Sequence, residues 1–329
     1  MAPVVSIRDW PRPVVLTCET LLFAACYYAA GRLGLSQQLS ADGAVVSPFW
    51  PPTGLAVAGL LIYGVRCLPG IALGALLVVA SLTVPGLPAL AVVVGSTLAP
   101  LLAWQMLRMV GFRQNLSRLR DGLSLVFLAA LVAMLISSGV GIGMLVATDR
   151  LGSDDVWLIW LAWWVGDAMG VVLVTPLVLL LHRARWPPPT SRWAEALALT
   201  AAVCVLIPVV TYSSLSLLFL VYPILIWAAI RFQLVGGISC ALFASVLATA
   251  AAREGRGSFV GMSEVAAMMK LQAFNGTLGL TALLLSALIT EQLNTRRSVE
   301  EACHELIEAL QHLNTEGSEN AGTPESDKR

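Results

Sequence analysis

Asp167 is the only acid in the apolar stretch Trp157–Leu181. It lies about eleven residues in, so a helix rising 1.5 Å per residue carries it roughly 16 Å deep, near the middle of a hydrocarbon core about 30 Å thick. An ionisable group at that depth marks a functional site by default, because an unpaired charge in hydrocarbon is costly. Trp157, Trp160, Trp164 and Asp167 follow at spacings of three, four and three, which places three rings and the carboxyl on one helical face. Ligand binding or proton sensing is the chemistry open to this stripe. The same residues also fit an interfacial aromatic belt ending in a carboxyl that locks two helices.

Candidate partners for Asp167 sit in other apolar stretches: Thr53 early in the second, and Gln272, Asn275 and Gly279 on one face of the last. Trp50, Pro51, Pro52 and Thr53 belong to a run, Ser47–Gly54, that is not regular helix throughout. The prolines there lack N–H donors and restrict the residues before them. Irregular backbone at membrane depth must be buried in protein or line a wet cavity, so this run reads as a cavity wall or as a rigid turn setting a helix entry. Gly166 with Gly170, and Gly70 with Gly74, are small-x-x-x-small pairs that let helices approach closely.

These residues need a membrane bundle to position them. Hydrophobic residues make up 57% of the 329, charged residues 12%, and the mean hydropathy is +0.80, against about 25% charged for a soluble domain. The expected fold is an all-α, polytopic transmembrane bundle of about 8–10 spans, with segments near 13–31, 48–65, 67–84, 87–110, 122–147, 156–181, 193–211, 215–231, 234–251 and 268–290. With both termini cytoplasmic, Arg66, Arg108, Arg113, Arg118, Arg120, Arg183, Arg192 and Arg231 fall in inside connections, and Asp154 and Asp155 fall outside, as the positive-inside rule requires. A net charge of zero gives no nucleic-acid surface.

The expected organisation is an N-terminal cytoplasmic segment, 1–12; the bundle, 13–290; an amphipathic stalk, 291–314; and a polar disordered tail, 315–329. Val299, Cys303, Leu306, Leu310 and Leu313 keep spacings of four, three, four and three beside Glu300, Glu301, Glu305 and Glu308. That is an a/d seam of about two heptads, suited to a parallel homodimer or to a surface helix.

Catalytic patterns are missing from the sequence. His182, His304 and His312 join no metal-ligand or nucleophile arrangement, and no cofactor is implied. The cysteines have no C-x-x-C spacing, which argues against disulfides and zinc. Gly139-x-Gly141-x-Gly143 lies in a span without a phosphate-binding lysine and reads as helix packing.

Five motifs in order carry a family resemblance: Trp50-Pro-Pro-Thr-Gly-Leu-Ala56, Pro69-Gly-Ile-Ala-Leu-Gly-Ala75, Arg118-Leu-Arg-Asp121, Trp163-Trp-Val-Gly-Asp-Ala-Met-Gly170 with Thr175-Pro-Leu177, and Tyr222-Pro-Ile-Leu-Ile-Trp-Ala-Ala-Ile-Arg231. Over roughly residues 14 to 292 the chain resembles the first type of bacterial membrane-associated sensor (MASE) domain. The resemblance implies an integral input module of the bacterial inner membrane, not an enzyme, that serves a kinase or cyclase output. It singles out Trp50, Pro51, Pro52, Thr53, Trp164, Gly166 and Asp167. The residues after Thr290 are too few for such an output domain, so a separate kinase or cyclase partner is expected. A small-solute or proton-coupled transporter and a membrane scaffold are the alternative functions; the missing inverted repeats weigh against transport.

Overall fold

The computed structural model describes residues 12–37, 39–41, 44–84, 86–149, 151–152, 156–183 and 192–321. Asp154, Asp155, residues 1–11 and residues 322–329 lie outside them. Helix α1 spans Arg12–Ser36, α2 Pro51–Tyr63, α3 Leu68–Ala80, α4 Leu87–Met109, α5 Leu119–Ser124, α6 Met134–Ala147, α7 Val156–Met169, α8 Thr175–Arg183, α9 Trp193–Tyr212, α10 Val221–Arg253 and α11 Glu264–Ala321. Two stretches of π-helix, Leu125–Ala133 and Gly170–Val174, join α5 to α6 and α7 to α8. A small antiparallel pair, β1 (Leu39–Ala41) and β2 (Ala44–Val46), is the exception to an all-α bundle.

Among the described residues, eight helical stretches are long and apolar enough to cross a membrane. Two of them double back. Pro51–Ala80 reverses at Gly64, where φ is +70° and a 3-10 turn, Gly64–Cys67, follows. Phe23 of α1 consequently faces both Gly59 and Gly70, and the Cys67 thiol donates to the Gly59 carbonyl. Leu218–Arg253 reverses at Gln233, whose backbone is non-helical (φ 51°, ψ −136°). Gly236 and Gly237 therefore abut Ala228 and Ala229, residues that a straight helix would hold about 12 Å away. The expected segments 48–65 and 67–84, and 215–231 and 234–251, are the arms of these reversals.

Glycines set the closest helix approaches. Gly70 and Gly74 let α3 rest on Thr20, Phe23 and Tyr27 of α1, as the small-x-x-x-small pairing requires. In the Gly139–Gly143 run only Gly141 is an approach site, against the Trp163 ring; Gly139 and Gly143 face open space.

One end of the bundle gathers the ends of many elements. Gln114 donates to the Leu61 carbonyl at the end of α2, His182 packs edge-on against Tyr63, and Arg231 pairs with Glu195 in the first turn of α9 at 2.8 Å. Glu291 of α11 accepts the Leu119 N–H at 2.8 Å. Arginine-rich connections thus collect where α11 leaves the bundle. At the opposite end Arg253 donates to the Ser36 carbonyl, beside the β pair. Helix α11 continues past Thr315, into the segment that composition reads as a disordered tail.

Candidate functional site

The site forms where the start of α2 meets the middle of the α7–α8 span. Ser47–Trp50 is extended and irregular before α2 begins at Pro51. A Cβ on Gly166 would overlap the Ser47 carbonyl, and one on Gly170 would overlap that of Trp50. These two glycines therefore clear a path for non-helical backbone to lie on α7. The Trp50 N–H then donates to the Gly166 carbonyl at 3.0 Å. A Cβ on Gly54 would in turn meet the Gly170 carbonyl, and the Thr175 hydroxyl donates to the Gly54 carbonyl at 3.0 Å.

Prolines at the first two positions of α2 have no N–H to leave unsatisfied. They suit a helix that starts against protein at depth. One turn on, the Thr53 hydroxyl donates to Asp167 Oδ1 at 2.6 Å, the short distance of a hydrogen bond to a carboxylate. Asp167 is 2% exposed, and its second oxygen, Oδ2, accepts no hydrogen bond. Ser137 and the Trp163 indole flank the carboxyl.

Asp167 lies on the wall of a cavity of about 550 Å³, between α1, α3, α4, α6 and α7. Trp50, Ser47, Tyr27, Ser96 and Trp163 contribute to the lining, which is otherwise mostly aliphatic. Its volume is within the roughly 300–1,000 Å³ of small-molecule sites, and its apolar wall with few polar groups is typical of them.

The sequence-derived stripe does not reach this cavity intact. Trp157, Trp160 and Trp164 stack in a ladder, with centroids 5.1 and 5.7 Å apart, but Trp164 turns to the main core and donates to the Leu131 carbonyl at 2.8 Å. Trp163, four residues before Asp167, is the ring beside the carboxyl; an i, i+4 reading of the double tryptophan could have found it.

Gln272 and Asn275 also do not join Asp167. Gln272 donates to the Ala162 carbonyl at 3.2 Å and lines a second, apolar cavity of about 390 Å³. Asn275 is fully buried, with neither amide atom hydrogen-bonded. Their neighbour Gly279 packs on Val172 and Leu173, in the π-helix that follows the Asp167 turn. Sequence reasoning missed Tyr27, Ser96 and Trp163 in the cavity and Glu291 at the bundle exit.

Among the described residues, no group of three or more His, Cys, Asp or Glu is placed to hold a metal. All six cysteines are free, with Cys67 and Cys240 buried.

No curated protein and no solved structure matches this chain. The family model of MASE1 matches residues 20–293, which covers the whole site from Tyr27 to Glu291. With a multi-pass helical bundle as its fold, the chain belongs to the MASE1 family of membrane-associated sensor domains.

Proposed function

We propose that this protein is a membrane sensory input module in which occupancy of the Asp167 cavity biases the packing of α2 on α7 and is relayed by α11 to a cytoplasmic partner. The observation that carries this reading is a line of contact from the cavity to the stalk. Asp167 sits three residues before the Gly170–Val174 π-helix; that element touches Gly279 of α11; and α11 runs unbroken through 58 residues, about 87 Å at 1.5 Å per residue. Single-turn π segments recur at functional sites because they interrupt regular hydrogen bonding, and this one lies where Gly54 and Gly170 cross. A ligand shifts such an equilibrium only by its difference in affinity for the two packings.

The stalk offers the output. Val299, Leu306 and Leu310 are 57%, 64% and 65% exposed, and they lie on the heptad seam with Cys303. A parallel dimer of two stalks covers that seam. Arginine-rich connections at the same end fit a cytoplasmic exit.

The test fuses residues 1 to 314, in register, to a diguanylate cyclase domain that needs dimerisation, and compares wild type with Asp167→Asn across pH and candidate solutes. Stimulus-dependent output lost in the variant supports the reading. Constant output from properly inserted protein, together with Asp167-dependent solute accumulation in proteoliposomes, replaces it with transport.

A further inference from the structure

We infer that the Asp167 cavity is a site for a small organic ammonium: one cationic amine on an apolar or aromatic body. This rests on the sensory reading above and names the ligand class of its site. Of the two carboxyl oxygens, Oδ1 is held by Thr53 and Oδ2 is buried without a partner. A buried acceptor of this kind gains most from a charged donor, since hydrogen bonds between ionised groups are about twice as strong as neutral ones.

The surroundings select the same sign of charge. No Lys, Arg or His lines the cavity among the described residues, and Asp167 is its one acid. Trp50, Trp163 and Tyr27 bring three aromatic rings to the wall, and ring faces attract cations, tryptophan most strongly. An anionic ligand finds no basic group among these lining residues to offset its charge. The remaining wall, from Val78 and Ala89 to Leu145, is aliphatic and takes an apolar body. Two or more amino groups on one ligand have no second acid to meet, so a monoamine fits and a polyamine does not.

The experiment uses the full chain in lipid nanodiscs and three matched probes: 2-phenylethylamine, 2-phenylethanol and phenylacetate. Binding is read by tryptophan fluorescence and by the rise in unfolding temperature. The expected result is saturable binding of the amine, at least tenfold weaker binding of the alcohol and none of the carboxylate. Asp167→Asn lowers amine affinity at least tenfold and leaves alcohol affinity unchanged. Ser96→Phe, which fills the cavity from α4 and leaves the carboxyl in place, abolishes binding and serves where Asp167→Asn does not fold. Alcohol or carboxylate binding as tightly as the amine, or amine binding unaltered in both variants, overturns the assignment. In the cyclase fusion, output driven by the carboxylate but not by the amine overturns the ligand class and spares the sensory reading. Asp167-dependent amine binding with constant output upholds the ligand class and removes the sensory reading.

Discussion

Thr53 and Asp167, 114 positions apart in sequence, are joined by a hydrogen bond of 2.6 Å between hydroxyl and carboxyl, both groups buried. It ties the first turn of α2 to α7 at the cavity wall. Thr53→Val keeps the side-chain shape and removes the donor, leaving a buried carboxyl without its partner. A loss of about 1–3 kcal/mol in bundle stability is expected, while Thr53→Ser retains most of it. Unfolding of both variants in nanodiscs checks this.

Gly170 lies against the Trp50 carbonyl, and Gly139 faces open space. Gly170→Ala must push backbone apart, at about 1–3 kcal/mol or more. Gly139→Ala gains helix propensity, and the expected change is neutral to about 1 kcal/mol stabilising. Parallel thermal unfolding of the pair separates a backbone crossing from a general preference for glycine in the spans.

Glu291 caps α5 from a distance, because its Oε2 accepts the N–H of Leu119, the first residue of that helix. A carboxylate at a helix N-terminus contributes about 0.5–2 kcal/mol. In Glu291→Ala the stalk loses this tie to the bundle. Amine affinity should stay at the wild-type value while stimulus-dependent output of the cyclase fusion falls, which a binding titration and an output assay on the same preparation distinguish.

Cys303 lies on the exposed seam of the stalk. In a background with Cys18, Cys26 and Cys204 replaced by Ser, mild oxidation of membranes should yield a disulfide-linked dimer through Cys303. Leu306→Glu with Leu310→Glu places acids in the seam and should suppress that product. Gel mobility without reductant reads the outcome.

Much of this architecture was legible in the sequence because hydrocarbon leaves few alternatives. Thr53 was legible as one candidate partner of Asp167, beside Gln272, Asn275 and Gly279, because a polar group in an apolar stretch gains from a partner. The Pro51–Pro52 pair announced the irregular entry that Gly166 and Gly170 accommodate. Trp163 and Trp164 are adjacent, about 100° apart on the helix, and periodicity alone favoured the stacked stripe over the ring that faces the cavity. The reversal at Gln233 carries no glycine at the strained residue itself. The Glu291–Leu119 bond joins residues 172 apart, and only the packing of α11 against α5 creates it. Asn275 shares a helical face with Gln272, yet helix packing holds that face away from Asp167.

The most direct measurement of the relay is the distance between spin labels at Arg120→Cys on α5 and native Cys303 on the stalk, with the other cysteines replaced, by pulsed dipolar spectroscopy in nanodiscs. The expected result is a distance distribution that shifts when 2-phenylethylamine is added and does not shift in Asp167→Asn. An identical distribution with and without the amine, in a preparation that demonstrably binds it, would contradict coupling between the cavity and the stalk.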